Sequence, residues 1–155
     1  MGFPAKTPVE SGPMIGGLLR LLSETVRDQI LSDVGAGGYT DIRRAHLSVF
    51  QFPSPDGVTP SVLATRANVT KQSMNYLLGE LEDRGYLERR QTATDGRSRE
   101  VFLTSQGKRL VETMRGSVRE IEETWRRLLG KDRFGEMKSS LMDVYESPSP
   151  KQAAS

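Results

Sequence analysis

Apolar positions recur every three to four residues along most of the chain and every second residue in one short region, and the changes of period mark out its elements. Ile15, Leu18, Leu19, Leu22, Val26 and Ile30 share one helical stripe, which predicts a helix over 14–34 ended by the Gly-Ala-Gly-Gly at 35–38. Ile42, Ala45, Leu47, Val49 and Phe50 predict a second helix over 40–51, closed by Phe-Pro-Ser-Pro-Asp-Gly at 52–57. A short third helix, 60–67, starts at Thr59-Pro60, a capping residue followed by proline at the first helical position. Thr70 then caps a fourth, 71–84, whose inner face is Met74, Leu77, Leu78 and Leu81 and whose stop is Gly85.

After Gly85 the period becomes extended. Residues 86–91 and 99–104 predict two strands joined by Thr-Ala-Thr-Asp-Gly-Arg-Ser, with Asp95-Gly96 as the turn. Thr104 can cap a long helix, 105–129, with Leu110, Val111, Met114, Val118, Ile121, Trp125 and Leu128 inward and Gly130 after it. Asp132 can cap a last helix that runs to about Glu146 and carries Phe134, Met137, Leu141, Val144 and Tyr145. The ends, 1–13 with three prolines and 147–155 (Ser-Pro-Ser-Pro-Lys-Gln-Ala-Ala-Ser), are poor in apolar residues and are expected to be disordered tails.

The expected fold is thus mainly α with a small β-hairpin wing, an α+β winged helix-turn-helix with further helices on either side. Its fourth helix crowds hydrogen-bonding side chains into its first turns: Thr70, Lys71, Gln72 and Ser73, then Asn75 and Tyr76. At about 100° per residue, Gln72, Tyr76, Gly79 and Asp83 lie opposite the leucine face, flanked by Asn75. This outward stripe ends in Glu80, Glu82 and Asp83, which DNA would repel, so the helix should enter a major groove by its N-terminal end, where the macrodipole also favours phosphate. Gln72 and Asn75 suit adenine edges, Lys71 guanine or phosphate, and Thr70, Ser73 and Tyr76 backbone oxygens. Capping alone would equally explain Thr70. In the wing, Arg97 can enter a narrow minor groove with Asp95 orienting its guanidinium, and Arg99 belongs to the same basic stretch. The plainer alternative is that Asp95 and Gly96 only make the turn and Arg97 is solvated.

Charge and composition sharpen this picture. The net charge is only +2, but residues 86–109 hold six basic side chains against three acidic, while the rest of the chain is balanced. At 155 residues the chain is one domain, or one domain with an added oligomerisation element. It has no long apolar run and no signal-peptide pattern at its start, so a cytoplasmic protein is expected, with no membrane partner. The absence of cysteine excludes thiol redox sensing and thiolate metal sites, and the single histidine, His46, argues against a His-rich metal site or a His-dependent triad. With no glycine-rich phosphate loop and no nucleophile–base constellation, the reading is of a binding protein without enzyme activity, metal or cofactor.

Residues 60–110 resemble the MarR family of bacterial winged-helix regulators. The features that carry the resemblance are Leu63-Ala64, Val-Thr-Lys-Gln at 69–72, Leu81-Glu82 with Gly-Tyr-Leu at 85–87, Asp95-x-Arg97, and Leu103-Thr104-x-x-Gly107. The resemblance implies a homodimer whose terminal helices interlock, two winged domains on successive major grooves, and often a small-molecule pocket between the dimer and DNA-binding regions. It also implies a DNA role for the Gln72 region and for Arg97. The apolar surface of helices 14–34, 105–129 and 132–146 exceeds what a small winged domain needs, which independently favours a two-fold partner. The chain therefore divides into a dimerisation region, 14–34 plus 105–146, and a DNA-binding domain, 40–104. A dimer would set two recognition helices roughly 34 Å apart and read a pseudo-palindromic operator. Trp125 is a candidate interface anchor or a plain core residue. Tyr39, Arg43 and His46 could line a pocket for a small aromatic or anionic effector, whereas a structural or solvated His46 and an Arg43 that faces solvent or pairs with acidic neighbours are the plainer readings. The functional expectation is a dimeric, sequence-specific transcriptional regulator, a repressor released by a small molecule. The alternative is a winged-helix protein-interaction module without specific DNA binding.

Overall fold

The computed structural model describes residues 12–50, 54–91 and 99–147. In order they form α1 (Ile15–Ala36), a 3-10 turn (Arg44–Ser48), α2 (Pro60–Ala67), α3 (Lys71–Asp83), β1 (Leu87–Gln91), β2 (Arg99–Leu103), α4 (Ser105–Leu129) and α5 (Lys131–Glu146). The chain divides into two compact units within α4, between Ser117 and Val118. No described helix is long and apolar enough to cross a membrane.

The first unit is the winged helix-turn-helix. Met74, Leu78 and Leu81 of α3 are fully buried with Val34 of α1, Leu63 of α2, Val101 of β2 and Leu110 of α4, so the leucine face read from the sequence is the core. The strands are antiparallel, Leu87 opposite Leu103 and Gln91 opposite Arg99, and Val58 bridges to Val101 as a short third edge. Between α2 and α3 the chain turns at Asn68, the one non-glycine residue with positive φ (53°) among those described. Such a left-handed residue closes one helix and re-aims the next within a few residues. Thr70 caps α3 as expected, its Oγ1 accepting the Ser73 N–H at 3.0 Å. Gly85, at φ 78°, provides the stop.

Several local expectations are corrected. The helix expected over 40–51 is only the 3-10 turn 44–48. Arg43 is extended and its N–H bonds to the His46 ring at 3.0 Å, while Asp41 accepts the Tyr86 hydroxyl at 2.7 Å. Tertiary partners thus take up the groups that would have begun a longer helix. Thr59 stands at the N-cap of α2 without a side-chain cap bond. The N-cap of α5 is Gly130, so Asp132 lies in the first turn, where its charge still complements the helix dipole.

In the first unit α4 buries Leu110, Val111 and Met114, but beyond Ser117 the expected inward stripe is only partly covered: Ile121 and Trp125 are half-buried, Val118 is exposed and Leu128 is 53% exposed. The second unit is the rest of α4 with α5. Arg126 lies 5.1 Å over the ring of the buried Phe134, and Lys138 pairs with Glu122 at 2.7 Å. Leu141, Met142, Val144 and Tyr145 of α5 are exposed, as are Ile15, Leu18, Leu19 and Leu22 on the first half of α1. These faces continue the hydrophobic periodicity of the sequence.

Candidate nucleic-acid interface

The first turns of α3 hold the groups that the sequence singled out. Thr70 and Ser73 are engaged with each other, the Thr70 hydroxyl donating to Ser73 Oγ at 2.8 Å while accepting the Ser73 N–H. Lys71 and Gln72 are exposed, Tyr76 is 65% exposed, and none of the three has a hydrogen-bond or ionic partner among the described residues. They stand at the positive end of a 13-residue helix. Side chains held out with no internal partner are available to bond an incoming ligand without first breaking a contact.

Asn75 differs. It is half-buried, and Arg89 of β1 reaches across to it, Nη1 standing 3.3 Å from Asn75 Oδ1. The same guanidinium bonds Glu82 through Nε at 3.0 Å, and the Arg89 backbone N–H bonds Glu82 at 3.1 Å. Glu80 pairs with Arg43 and, at 3.5 Å, with Arg84. Two of the three acids that close the outward stripe are therefore offset by arginines of the same chain, and of the three only Asp83 is exposed. The repulsion expected from this half of α3 is correspondingly weaker.

In the wing, Arg99 is exposed at the start of β2, while Arg90 pairs with Glu88 and lies 4.8 Å over the Phe102 ring. Part of the local basic excess thus serves the strands themselves. Asp95, Gly96 and Arg97 lie outside the described residues.

Arg43 and His46 meet in a polar cluster with Glu80 and Arg84, in which only His46 is fully buried, whereas Tyr39 packs on Tyr86. His46 is 0% exposed. Its Nδ1 accepts the Arg43 N–H, which puts the ring proton on Nε2, 3.3 Å from Glu80 Oε2. Arg84 Nη1 also lies 3.1 Å from Nε2, and because both groups are donors in this tautomer it contributes charge, not a bond. Tyr39 stacks at a tilt on Tyr86, with centroids 6.1 Å apart. A cleft of about 360 Å³ opens elsewhere in this unit, lined by Ser54, Asp56, Leu103, Lys108, Val111, Glu112 and Arg115. The Arg89–Asn75–Glu82 and His46–Glu80–Arg84 groupings were not legible in the sequence; seven residues separate Glu82 from Arg89 and 34 separate His46 from Glu80.

This cluster makes stability depend on pH. Burial holds the His46 imidazole below its ordinary value of 6.5; the Glu80 hydrogen bond opposes this, and the Arg84 charge adds to it. For Glu80, burial pushes upward, but the His46 hydrogen bond and the charges of Arg43 and Arg84 outweigh it, leaving the carboxyl below its ordinary 4.5. Tyr86 is pushed up to about 12 by burial and then by its bond to Asp41, outside the acid range. A depressed histidine contributes stability that is present above pH 6.5 and lost as pH falls through its folded value, and a depressed carboxylate adds a second loss as pH falls below 4.5. Thermal melts from pH 8 to pH 2 should therefore show Tm falling in two stages, with the upper stage missing in His46→Gln. An upper stage that persists in the variant would assign it to another group.

Fold and site together define a winged helix-turn-helix protein. Residues 52–98 match the family model of the MarR family. The HTH-type transcriptional repressor Rv2887 of Mycobacterium tuberculosis is 38% identical over 63 residues, 41% of this chain and 45% of the repressor, so the matched part spans less than half of that relative. The crystal structure of Rv2887 in complex with salicylic acid superposes with a TM-score of 0.64 at 25% identity, covering 88% of this chain and 99% of that one. A MarR transcriptional regulator from Methanosarcina mazei Go1 has the same fold, with a TM-score of 0.70 at 24% identity over 85% of this chain and 87% of its own. Over residues 52–98 the chain is thus similar to the MarR family, and its fold is shared with solved MarR-family regulators.

Proposed function

We propose that the chain is a dimeric, sequence-specific DNA-binding transcriptional regulator, a repressor released by a small ligand. The observation that carries this reading is the exposed, internally unpartnered set Lys71, Gln72 and Tyr76 on the N-terminal turns of α3, followed directly by the wing. Gln72 and Lys71 read base edges, Thr70, Ser73 and Tyr76 meet the phosphate backbone, and Arg97 and Arg99 follow the wing to the minor groove. DNA contact is assigned to 40–104 and dimerisation to 14–34 with 105–146, where Leu18, Leu22, Leu141 and Tyr145 are exposed. A second copy of the chain is the natural cover for such faces. The salicylic acid in the Rv2887 complex supports an aromatic carboxylate as the class of effector.

Fluorescence anisotropy on the duplex upstream of the protein's own gene and on a scrambled duplex, at two salt concentrations, tests the reading. The specific site should bind at least about a thousandfold more tightly, and affinity should fall steeply with salt. Equal affinity for every duplex would reject it and favour a protein partner for α3. Gln72→Ala should flatten the preference at particular base pairs by about 1–3 kcal/mol, and an unchanged preference in that variant would move base reading to another residue.

A further inference from the structure

Arg89 leaves β1 and lies along the outer side of α3, where its donors reach two residues of that helix. Nε and the backbone N–H bond the two carboxylate oxygens of Glu82 at 3.0 and 3.1 Å. Nη1 and Nη2 stand 3.3 Å from Asn75 Oδ1 and 3.5 Å from the Asn75 carbonyl oxygen. The guanidinium also lies beside Gly79, one turn beyond Asn75, where a Cβ would be in ordinary van der Waals contact with Nη2 at 3.7 Å. The Arg89 side chain is only 21% exposed, so the arrangement is held by packing as well as by charge.

A guanidinium has donors only, so the Asn75 atom it meets must be the carbonyl oxygen, and this fixes which way round the amide stands. Asn75 Nδ2 has no acceptor among the described residues and carries two free N–H groups. Adenine recognition by asparagine needs both faces of the amide, Nδ2 donating to N7 and Oδ1 accepting from the N6 amino group. Here a cation occupies Oδ1, and a second donor brought to the same oxygen would meet its positive charge. What remains is a pure donor. Among the base edges of the major groove, guanine presents two adjacent acceptors, N7 and O6, and no donor beside them.

We propose that Arg89 is a positioning residue that sets the hydrogen-bonding polarity of Asn75, so that Asn75 selects guanine where an unrestrained asparagine would select adenine. The inference rests on the DNA-binding reading above and identifies how one base pair in each half-site is chosen. It replaces the adenine role that the residue type alone gave to Asn75.

The test is a random-sequence duplex selection with the full-length protein, followed by affinities for each single base-pair change, in wild type, Asn75→Ala, Arg89→Met and Asn75→Asp. Wild type should favour guanine about tenfold or more at one pair per half-site, and Asn75→Ala should erase that preference alone. Arg89→Met should shift the same pair to adenine. Asn75→Asp keeps an acceptor for Arg89 and so preserves the link between helix and strand, but should exchange the guanine preference for cytosine. If Arg89→Met does not fold, Asn75→Asp decides. Arg89→Met binding every sequence more weakly in the wild-type order of bases would make Arg89 a structural clamp only. Adenine at the Asn75-dependent pair in wild type, or no pair that depends on Asn75, would also overturn the proposal. Wild-type protein without any sequence preference would instead reject the functional reading itself.

Discussion

Gly107→Ala is expected to destabilise the winged unit by at least about 3 kcal/mol, lowering Tm by on the order of 10 °C. A Cβ at position 107 would stand 2.0 Å from the Tyr86 carbonyl oxygen and 3.2 Å from Leu103 Cδ2. The close approach is built by Thr104. Its Oγ1 accepts the Gly107 N–H at 3.0 Å, its hydroxyl lies 2.6 Å from the Gly85 carbonyl oxygen, and its backbone N–H bonds the Tyr86 carbonyl at 3.2 Å. One threonine thus ties the start of α4 to the start of the wing, and the obstructing atom is backbone with no rotamer to give way. Tyr86 and Leu87 are both buried at this point, so relief by shifting β1 would open the core. Gly135→Ala, on α5 with nothing within 4 Å of the new methyl, is the control and should be neutral or slightly stabilising. Calorimetric melts of the two variants compare them directly; Gly107→Ala melting within a degree of wild type would mean that the junction is not tight in solution.

The second large effect is expected from Leu18→Glu combined with Leu22→Glu. Both leucines are exposed on α1, 41% and 38%, in a helix that buries only Val34 fully. In a monomer the exchange would be close to neutral, since charged residues on a solvated helix face cost little. In a dimer that covers this face it introduces unpaired carboxylates into an apolar contact, a cost large enough to separate the copies. Sedimentation should then show a monomer with an unchanged circular dichroism spectrum, and operator affinity should fall by about a hundredfold or more because the two half-sites are no longer linked. An intact dimer in the double variant would place the subunit contact away from this part of α1.

The local grammar of the chain was legible because its signals act within a few residues. Thr70 followed by polar first-turn residues, Pro60 at the start of α2, Gly85 after α3 and the change to an alternating pattern at 86–91 each specify a bond or a dihedral close by in sequence. Five of the six predicted helices begin and end within two residues of their expected positions on this basis, and the hairpin pairs as read. The segment 40–51 was misread because its apolar spacing is helical while its polar groups are claimed by partners far along the chain: Asp41 by Tyr86, Arg43 by Glu80. The periodicity of α4 and α5 is apolar as expected, but inwardness is a property of what packs on a face, and Val118, Leu128 and Leu141 are exposed.

By itself, the sequence determined the order of elements, the leucine core of α3, the caps at Thr70 and Thr104, and the exposed Lys71–Gln72–Tyr76 turn that marks the candidate interface. Each follows from period, helix-end chemistry or the amphipathic arrangement of one element. Only the tertiary structure decided the chemical state of that interface: that Asn75 presents donors because Arg89 holds its oxygen, that Glu80 and Glu82 are offset by arginines, and that His46 is buried and neutral. Those states are set by packing between elements, which buries the His46 ring and so depresses its pKa, and by electrostatics between groups brought within about 4 Å of one another, which fixes the Asn75 amide and offsets the acids. No spacing within a single helix or strand encodes that proximity.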